Sequence, residues 1–117
     1  MSGTLERVTV LVATLVLLTG NLHGVVMRGP IAPVCRVGMP CNGPARGAVL
    51  VFSRGGRVAA RVTVGLHGRY TVRLEAGTYL VRRPVPPRIG FGIRPDRVRV
   101  VGGASTRADF FIDTGIR

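Results

Sequence analysis

The chain has 117 residues, room for one small domain and little more. It carries a formal charge of +12, and its seventeen basic residues are all arginine, set against five acids. A hydrophobic share of 46% excludes wholesale disorder, and the seventeen Gly and eight Pro are spread between apolar runs as turns are, not gathered into a low-complexity tract.

Residues 1–20 open the chain with Arg7, an uncharged run from Val8 to Leu18, and Thr19-Gly20. A basic start, about a dozen apolar residues and a small-residue exit have the pattern of a secretory signal peptide. Its departures from that pattern are Glu6 at the basic end and the lack of an Ala-x-Ala site. The run is short for a spanning helix, which needs about twenty residues. Left uncleaved, the uncharged stretch from Val8 towards Val26 would serve as a membrane anchor instead, and a third reading makes it an internal strand. Cleavage after Gly20 removes Arg7 and Glu6 together, so the remaining 21–117 keep the charge of +12.

Leu22 to Met27 predicts a first strand at a sheet edge, with Gly24 weakening it or marking a bulge. Gly29 to Pro44 is too rich in Pro and Gly for a helix or a central strand. It holds Cys35 and Cys41, which in an exported chain are expected to bond to each other. Loop entropy alone gives such a short ring about 2–3 kcal/mol. A zinc site is disfavoured, because two cysteines with no second pair and no nearby His leave the tetrahedral shell half filled. Redox pairs favour two intervening residues, and here there are five.

Ala48 to Arg54 is almost continuously apolar, which predicts a strand buried on both faces. Gly55-Gly56 predicts a two-residue hairpin turn. In the next strand Val58, Ala60, Val62 and Val64 are expected to face inward, and Arg57, Ala59, Arg61 and Thr63 outward. After the turn at Gly65–Gly68, Tyr70, Val72 and Leu74 alternate with Arg69, Thr71, Arg73 and Glu75. Ala76-Gly77 breaks the pattern, and Thr78 to Val81 is β-branched and aromatic, so the pair reads as a β-hairpin with one buried face. Pro84 to Pro95 is irregular and carries Phe91, expected to tuck over a core edge. Asp96–Val101 and Ser105–Asp113 complete seven predicted strands with no amphipathic helix, the spacing of an all-β sandwich or barrel.

The string GRYTVRLEAGTYLV (Gly68 to Val81) resembles the G-x-Y-x-V-x-L-x-x-G-x-Y-x-V hallmark of carboxypeptidase regulatory-like domains. Gly24-Val25-Val26 and Gly47-Ala48-x-Leu50 fit the opening of the same family, and the resemblance covers about residues 22 to 117. The GP-x-x-PVCRVG-x-PC segment (Gly29 to Cys41) and the DF-x-IDTGIR ending resemble short secreted proteins of high-GC Gram-positive bacteria. The resemblance implies a seven-stranded Greek-key sandwich of the transthyretin (prealbumin) type and no catalytic residue. In larger proteins such domains accompany enzymes, adhesins and outer-membrane receptors.

The inventory of reactive groups agrees with a non-catalytic chain. Asp109 and Asp113 sit four apart, about 13 Å at strand rise, whereas glycosidase carboxylates stand about 5–9.5 Å apart. They are expected to be solvated carboxylates near an Arg. His23 and His67 stand outside any metal motif, Ser53 and Ser105 lack a nucleophile elbow, and no phosphate-binding or dinucleotide fingerprint occurs. The sequence therefore predicts no enzyme and no cofactor. A transthyretin-like hydrolase would need a C-terminal Tyr-Arg-Gly segment where this chain has Thr114-Gly-Ile-Arg117.

The arginines offer a different chemistry. Arg57 with Arg61, Arg69 with Arg73, and Arg97 with Arg99 recur at even spacing, and on neighbouring strands they would form one anion-binding stripe. Arg-for-Lys usage with abundant Ala, Gly, Val and Pro is also what GC-rich coding produces, so net charge alone assigns no ligand. For an exported chain the fitting partners are an anionic envelope polymer or lipid head groups. Carbohydrate is the alternative, although there is no Trp and both Tyr are expected in the core. Nucleic acid fits poorly, with no helix for a major groove and few aromatics for stacking. The expectation is a secreted or envelope-associated binding or structural module.

Overall fold

The computed structural model describes residues 18–31, 38, 41–84 and 92–114. The predicted signal segment or anchor, Cys35 and Phe91 lie outside the described residues. Ten strands form two sheets packed face to face: β1 (Thr19–Gly29), β2 (Gly43–Pro44), β3 (Val49–Arg54), β4 (Arg57–Thr63), β5 (Arg69–Glu75), β6 (Gly77–Arg82), β7 (Ile93–Arg94), β8 (Arg97–Val100), β9 (Ser105–Arg107) and β10 (Phe110–Asp113). The expected all-β sandwich is present. Its strand count exceeds seven because two short strands, β2 and β7, lie in stretches read as irregular, and the last predicted strand is broken into β9 and β10.

One sheet has the order β4-β3-β6-β8. The other is built on β1, which is central and not an edge. Its first half, Thr19 to Val25, lies between β5 and β9, and its second half, Val26 to Gly29, between β2 and β10. Gly24 stands where β1 passes from β9 to β10. Ala108 donates its N–H to the His23 carbonyl (2.8 Å), and Asp109 Oδ1 accepts the Val25 N–H (2.8 Å). A Cβ on Gly24 would fall well inside contact distance of the Ala108 carbonyl oxygen, so this glycine serves close backbone approach and not a bulge. β1 also starts before the predicted domain boundary. The Ala76 N–H donates to the Leu18 carbonyl (2.6 Å) and the Gly103 N–H to the Thr19 carbonyl (2.7 Å), bonds that a chain beginning at Asn21 would lack.

The predicted hairpin across Ala76-Gly77 is not a hairpin. β5 pairs with β1, whereas β6 pairs with β3 and β8 in the opposite sheet. The physical reason lies at the turn. Gly77 has φ 151°, a conformation open to glycine, and the chain crosses the sandwich there instead of folding back in plane. The Tyr79 hydroxyl fastens the corner by donating to the Glu75 carbonyl (2.6 Å). Arg54 closes the same end, donating to the Ala76 carbonyl (2.9 Å), pairing with Glu75 (3.1 Å) and lying 5.3 Å from the Tyr79 ring centre. The Gly55-Gly56 turn, by contrast, has both residues at positive φ (59° and 77°) and joins β3 to β4 as expected.

The core joins Leu22, Val26, Tyr70, Leu74, Phe110 and Ile112 of the larger sheet to Leu50, Phe52, Tyr79, Val81 and Val100 of the smaller one. Phe52, Tyr70 and Phe110 meet at its centre with ring centroids 5.7–6.3 Å apart. Both tyrosines are core residues as predicted. Burial is the first cause pushing both hydroxyl pKa values up, with the Asp109 charge adding to it for Tyr70, so both stay neutral donors. The Tyr70 hydroxyl donates a hydrogen bond to the Ala108 carbonyl (2.5 Å).

Candidate functional site

The six arginines expected in one stripe are divided between two sheets. Arg69 and Arg73 lie on β5, in register with Val25 and Asn21 of β1. Arg57, Arg61, Arg97 and Arg99 lie on β4 and β8, the two edges of the four-stranded sheet. A register shift between Phe52 and Ser53 places Val58 opposite Ser53 and Ala60 opposite Phe52. This bulge adds a residue at Ala59 and reverses the alternation before it. Val58, predicted inward, is therefore 44% exposed on the outer face. Arg57, opposite Arg54 at the end of the sheet, no longer shares a face with Arg61.

What the fold does assemble is the outer face of the four-stranded sheet. Val51 lies in register with Arg61 on one side and Arg82 on the other. In the next row Ser53 stands between Val58 and Leu80, and Leu80 faces Arg97; beyond it Thr78 faces Arg99. Val51 and Ser53 are buried at the centre, while Arg61, Arg82, Arg97 and Arg99 are exposed. No outward position of these four strands is acidic. The face is thus a cationic frame around an apolar strip that includes the 48% exposed Leu80. Sequence reasoning missed Arg82, although Thr78, Leu80 and Arg82 alternate with the buried Tyr79 and Val81 and so share a face.

The outer face of the larger sheet is different. Arg107 is paired with Asp109 (3.1 Å), and Arg73 Nε donates to Thr19 Oγ1 (3.4 Å). Arg94 lies 5.5 Å from the Phe111 ring centre. Its cations are largely held by the protein itself. The expected Asp–Arg neighbour is present at Asp109. The Val25 N–H, the Arg107 guanidinium and a minor effect of His23 hold this carboxylate below the ordinary range, against a small opposing effect of burial. A lowered folded-state pKa contributes stability that is present above the unfolded value and lost as pH falls through the folded value. The chain should therefore lose stability below about pH 4, and Asp109→Asn should remove part of that slope in urea titrations run from pH 6 to pH 2. An unchanged slope would show that Asp109 does not link protonation to folding.

A third arrangement lies at the end of the sandwich opposite Arg54. Arg28, Arg46 and Arg83 line a cleft of about 310 Å³ together with Ala45, Gly47, Ala48, Ile112 and Thr114. Among the described residues no three of His, Cys, Asp and Glu gather as a metal site, and no helix is long and apolar enough to cross a membrane.

Neither any family model nor any curated protein matches the chain. Solved structures do match in fold. GBS52, the minor pilin of Streptococcus agalactiae, is 13% identical with a TM-score of 0.52 over 83% of this chain and 45% of its own. The TIE protein of Bacillus anthracis is 17% identical with a TM-score of 0.53 over 80% of this chain and 16% of its own. A leucine-rich repeat protein of Bacteroides thetaiotaomicron is 12% identical with a TM-score of 0.50 over 83% of this chain and 12% of its own. The chain spans less than half the length of each, and at these identities the likeness is one of fold: it is similar to a β-sandwich unit found within larger bacterial proteins.

Proposed function

We propose that the chain is an exported, non-catalytic sandwich of the carboxypeptidase regulatory-like, transthyretin type that acts at the cell envelope as a binding or structural module. Its ligand on this reading is an anionic envelope polymer held on the outer face of the four-stranded sheet. The observation that carries the reading is the placement of Arg61, Arg82, Arg97 and Arg99 on one face with no acid among its outward positions. Like charges on adjacent strands repel, and an anionic partner relieves that repulsion. The fold likeness to a minor pilin supports placement at a surface. The Cys35–Cys41 bridge, whose reduction would add mass to the intact chain, belongs to the same reading.

The test is retention of the full chain on immobilised glycerol-phosphate polymer. Retention should fall as salt screens exposed charges. The triple variant Arg61→Gln, Arg97→Gln, Arg99→Gln should bind about ten-fold more weakly, taking about 0.5 kcal/mol for each exposed charge. Retention on a neutral glycan column, indifferent to salt and to the three substitutions, would replace this reading with carbohydrate binding.

A further inference from the structure

Arginine at a core-facing position of a strand is unusual, because its charge must leave the apolar interior or find a partner. The sandwich has such positions at both ends, Arg54 and its register partner Arg57 at one and Arg28 and Arg83 at the other, and it treats the two ends differently. Arg54 follows the buried Ser53 at one end and is fully engaged by Glu75, the Ala76 carbonyl and the Tyr79 ring. At the other end stand Arg28 and Arg83. Arg28 continues the inward series of Leu22 and Val26 on β1, in register with the core residue Ile112. Arg83 continues the inward series of Tyr79 and Val81, just past β6 in the opposite sheet. The two sheets therefore each present one arginine to the same opening, and Arg46, in the turn after Ala45, adds a third. Neither ion pair among the described residues involves them, and no Asp or Glu is among the described lining residues.

We propose that this end cleft is a binding site for a phosphate group, as the free ion or as part of a phosphodiester. Arg28, Arg46 and Arg83 line the cleft together with the buried Ala45 and Ile112, which give it an apolar floor. Each guanidinium offers a planar fork of N–H donors that matches an oxyanion. Three forks supply about six donors, more than the roughly four lone-pair sites of a carboxylate and suited to the several oxygens of a phosphate. The apolar floor lowers the local dielectric, which strengthens charge-assisted hydrogen bonds. The Thr114 hydroxyl donates to the Pro30 carbonyl (2.7 Å) and so turns its oxygen, not its proton, towards other groups; the donors to the ligand are the arginines. Arg82, the residue before Arg83, belongs to the outer face described above, so a polymer lying on that face could place one phosphate in the cleft. The site itself does not depend on that reading.

The experiment is a titration of the full, ¹⁵N-labelled chain with inorganic phosphate at constant ionic strength set by sodium chloride, following the arginine Nε–Hε signals. Saturable shifts are expected at Arg28, Arg46 and Arg83 and not at Arg61, Arg97 or Arg99. Arg83→Gln should weaken phosphate binding about ten-fold or more, the loss of one charge-assisted contact. Arg46→Gln, in an exposed turn, serves the same purpose if Arg28 or Arg83 variants do not fold. The Arg61→Gln, Arg97→Gln, Arg99→Gln protein should keep its phosphate response, which separates failure of this site from failure of the polymer face. Glycerophosphoglycerol and phosphatidylglycerol vesicles then distinguish the source: shifts with the former place the group on a soluble diester, shifts with the latter alone on a lipid. Unsaturable shifts spread over all arginines, shifts reproduced by chloride, or Arg46→Gln and Arg83→Gln proteins that respond like the parent would overturn the proposal.

Discussion

A Gly24→Ala variant is expected to lose about 2–4 kcal/mol of folding free energy, in the range of substitutions that force backbone to move. The usual cost of adding a methyl group to a strand is small or even negative, since alanine restricts the unfolded chain. Here the sign is set by what the methyl group meets. Its nearest neighbours would be the Ala108 carbonyl and the Asp109 carboxylate, and the first of these is backbone that cannot rotate away. That carbonyl also accepts the Tyr70 hydroxyl (2.5 Å), while the Ala108 N–H and Asp109 Oδ1 hold β1 on either side of Gly24. Moving the Ala108–Asp109 segment outward would strain three hydrogen bonds and the passage of β1 from β9 to β10. A Gly47→Ala variant is the control. Gly47 has φ 77° but open space around its Cβ position, so only backbone strain of about 1–2 kcal/mol is at stake. Urea denaturation followed by far-UV circular dichroism measures both. If Gly24→Ala proves no more costly than Gly47→Ala, close approach is not what selects glycine at the crossing.

Phe52→Ala should cost about 3–5 kcal/mol, the range for deleting a buried aromatic side chain. Phe52 is fully buried on β3 and is the smaller sheet's contribution to the ring cluster with Tyr70 and Phe110. Removing it leaves a cavity between two sheets whose separation other side chains maintain, so collapse to fill it is limited. A domain of this size has about 5–15 kcal/mol in total, so the variant should sit close to unfolding at ambient temperature. Guanidinium titration gives the number. A loss under about 1 kcal/mol would mean that the cluster repacks freely and that the two sheets are not joined through these rings. Tyr70→Phe is the informative companion, since it keeps the ring and removes only the hydroxyl bond to Ala108.

Local pattern carried much of the architecture. The alternation of Tyr70, Val72 and Leu74 with polar neighbours, the apolar run Val49–Phe52 and the Gly55-Gly56 turn all report side-chain period or backbone conformation over a few residues, and each was legible. Pairing was not. Ala76-Gly77 looks locally like a tight turn whether the chain folds back in plane or crosses to the other sheet. Only the partners available across the sandwich, β1 for β5 and β3 with β8 for β6, distinguish the two. β1 likewise contains glycines that argue for an edge when taken by propensity, yet they are what allows it to sit at the centre with neighbours on both sides.

The candidate sites divide along the same line. Even spacing alone placed five arginines, Arg61, Arg69, Arg73, Arg97 and Arg99, on outward faces, where the strands carry them. It did not reveal that these belong to opposite faces, that a bulge at Ala59 removes Arg57 from the set, or that Arg82 completes one face. Arg28, Arg46 and Arg83 are far apart in the chain, and no spacing rule connects them; a loop turn and two strands from different sheets bring them to one cleft. What the amino-acid sequence determined by itself was strand character, turn positions and the sign of the surface charge, because each depends on neighbouring residues alone. Which strands meet, which arginines share a face and where three of them converge were decided by tertiary structure, because they depend on contacts between residues far apart in the chain.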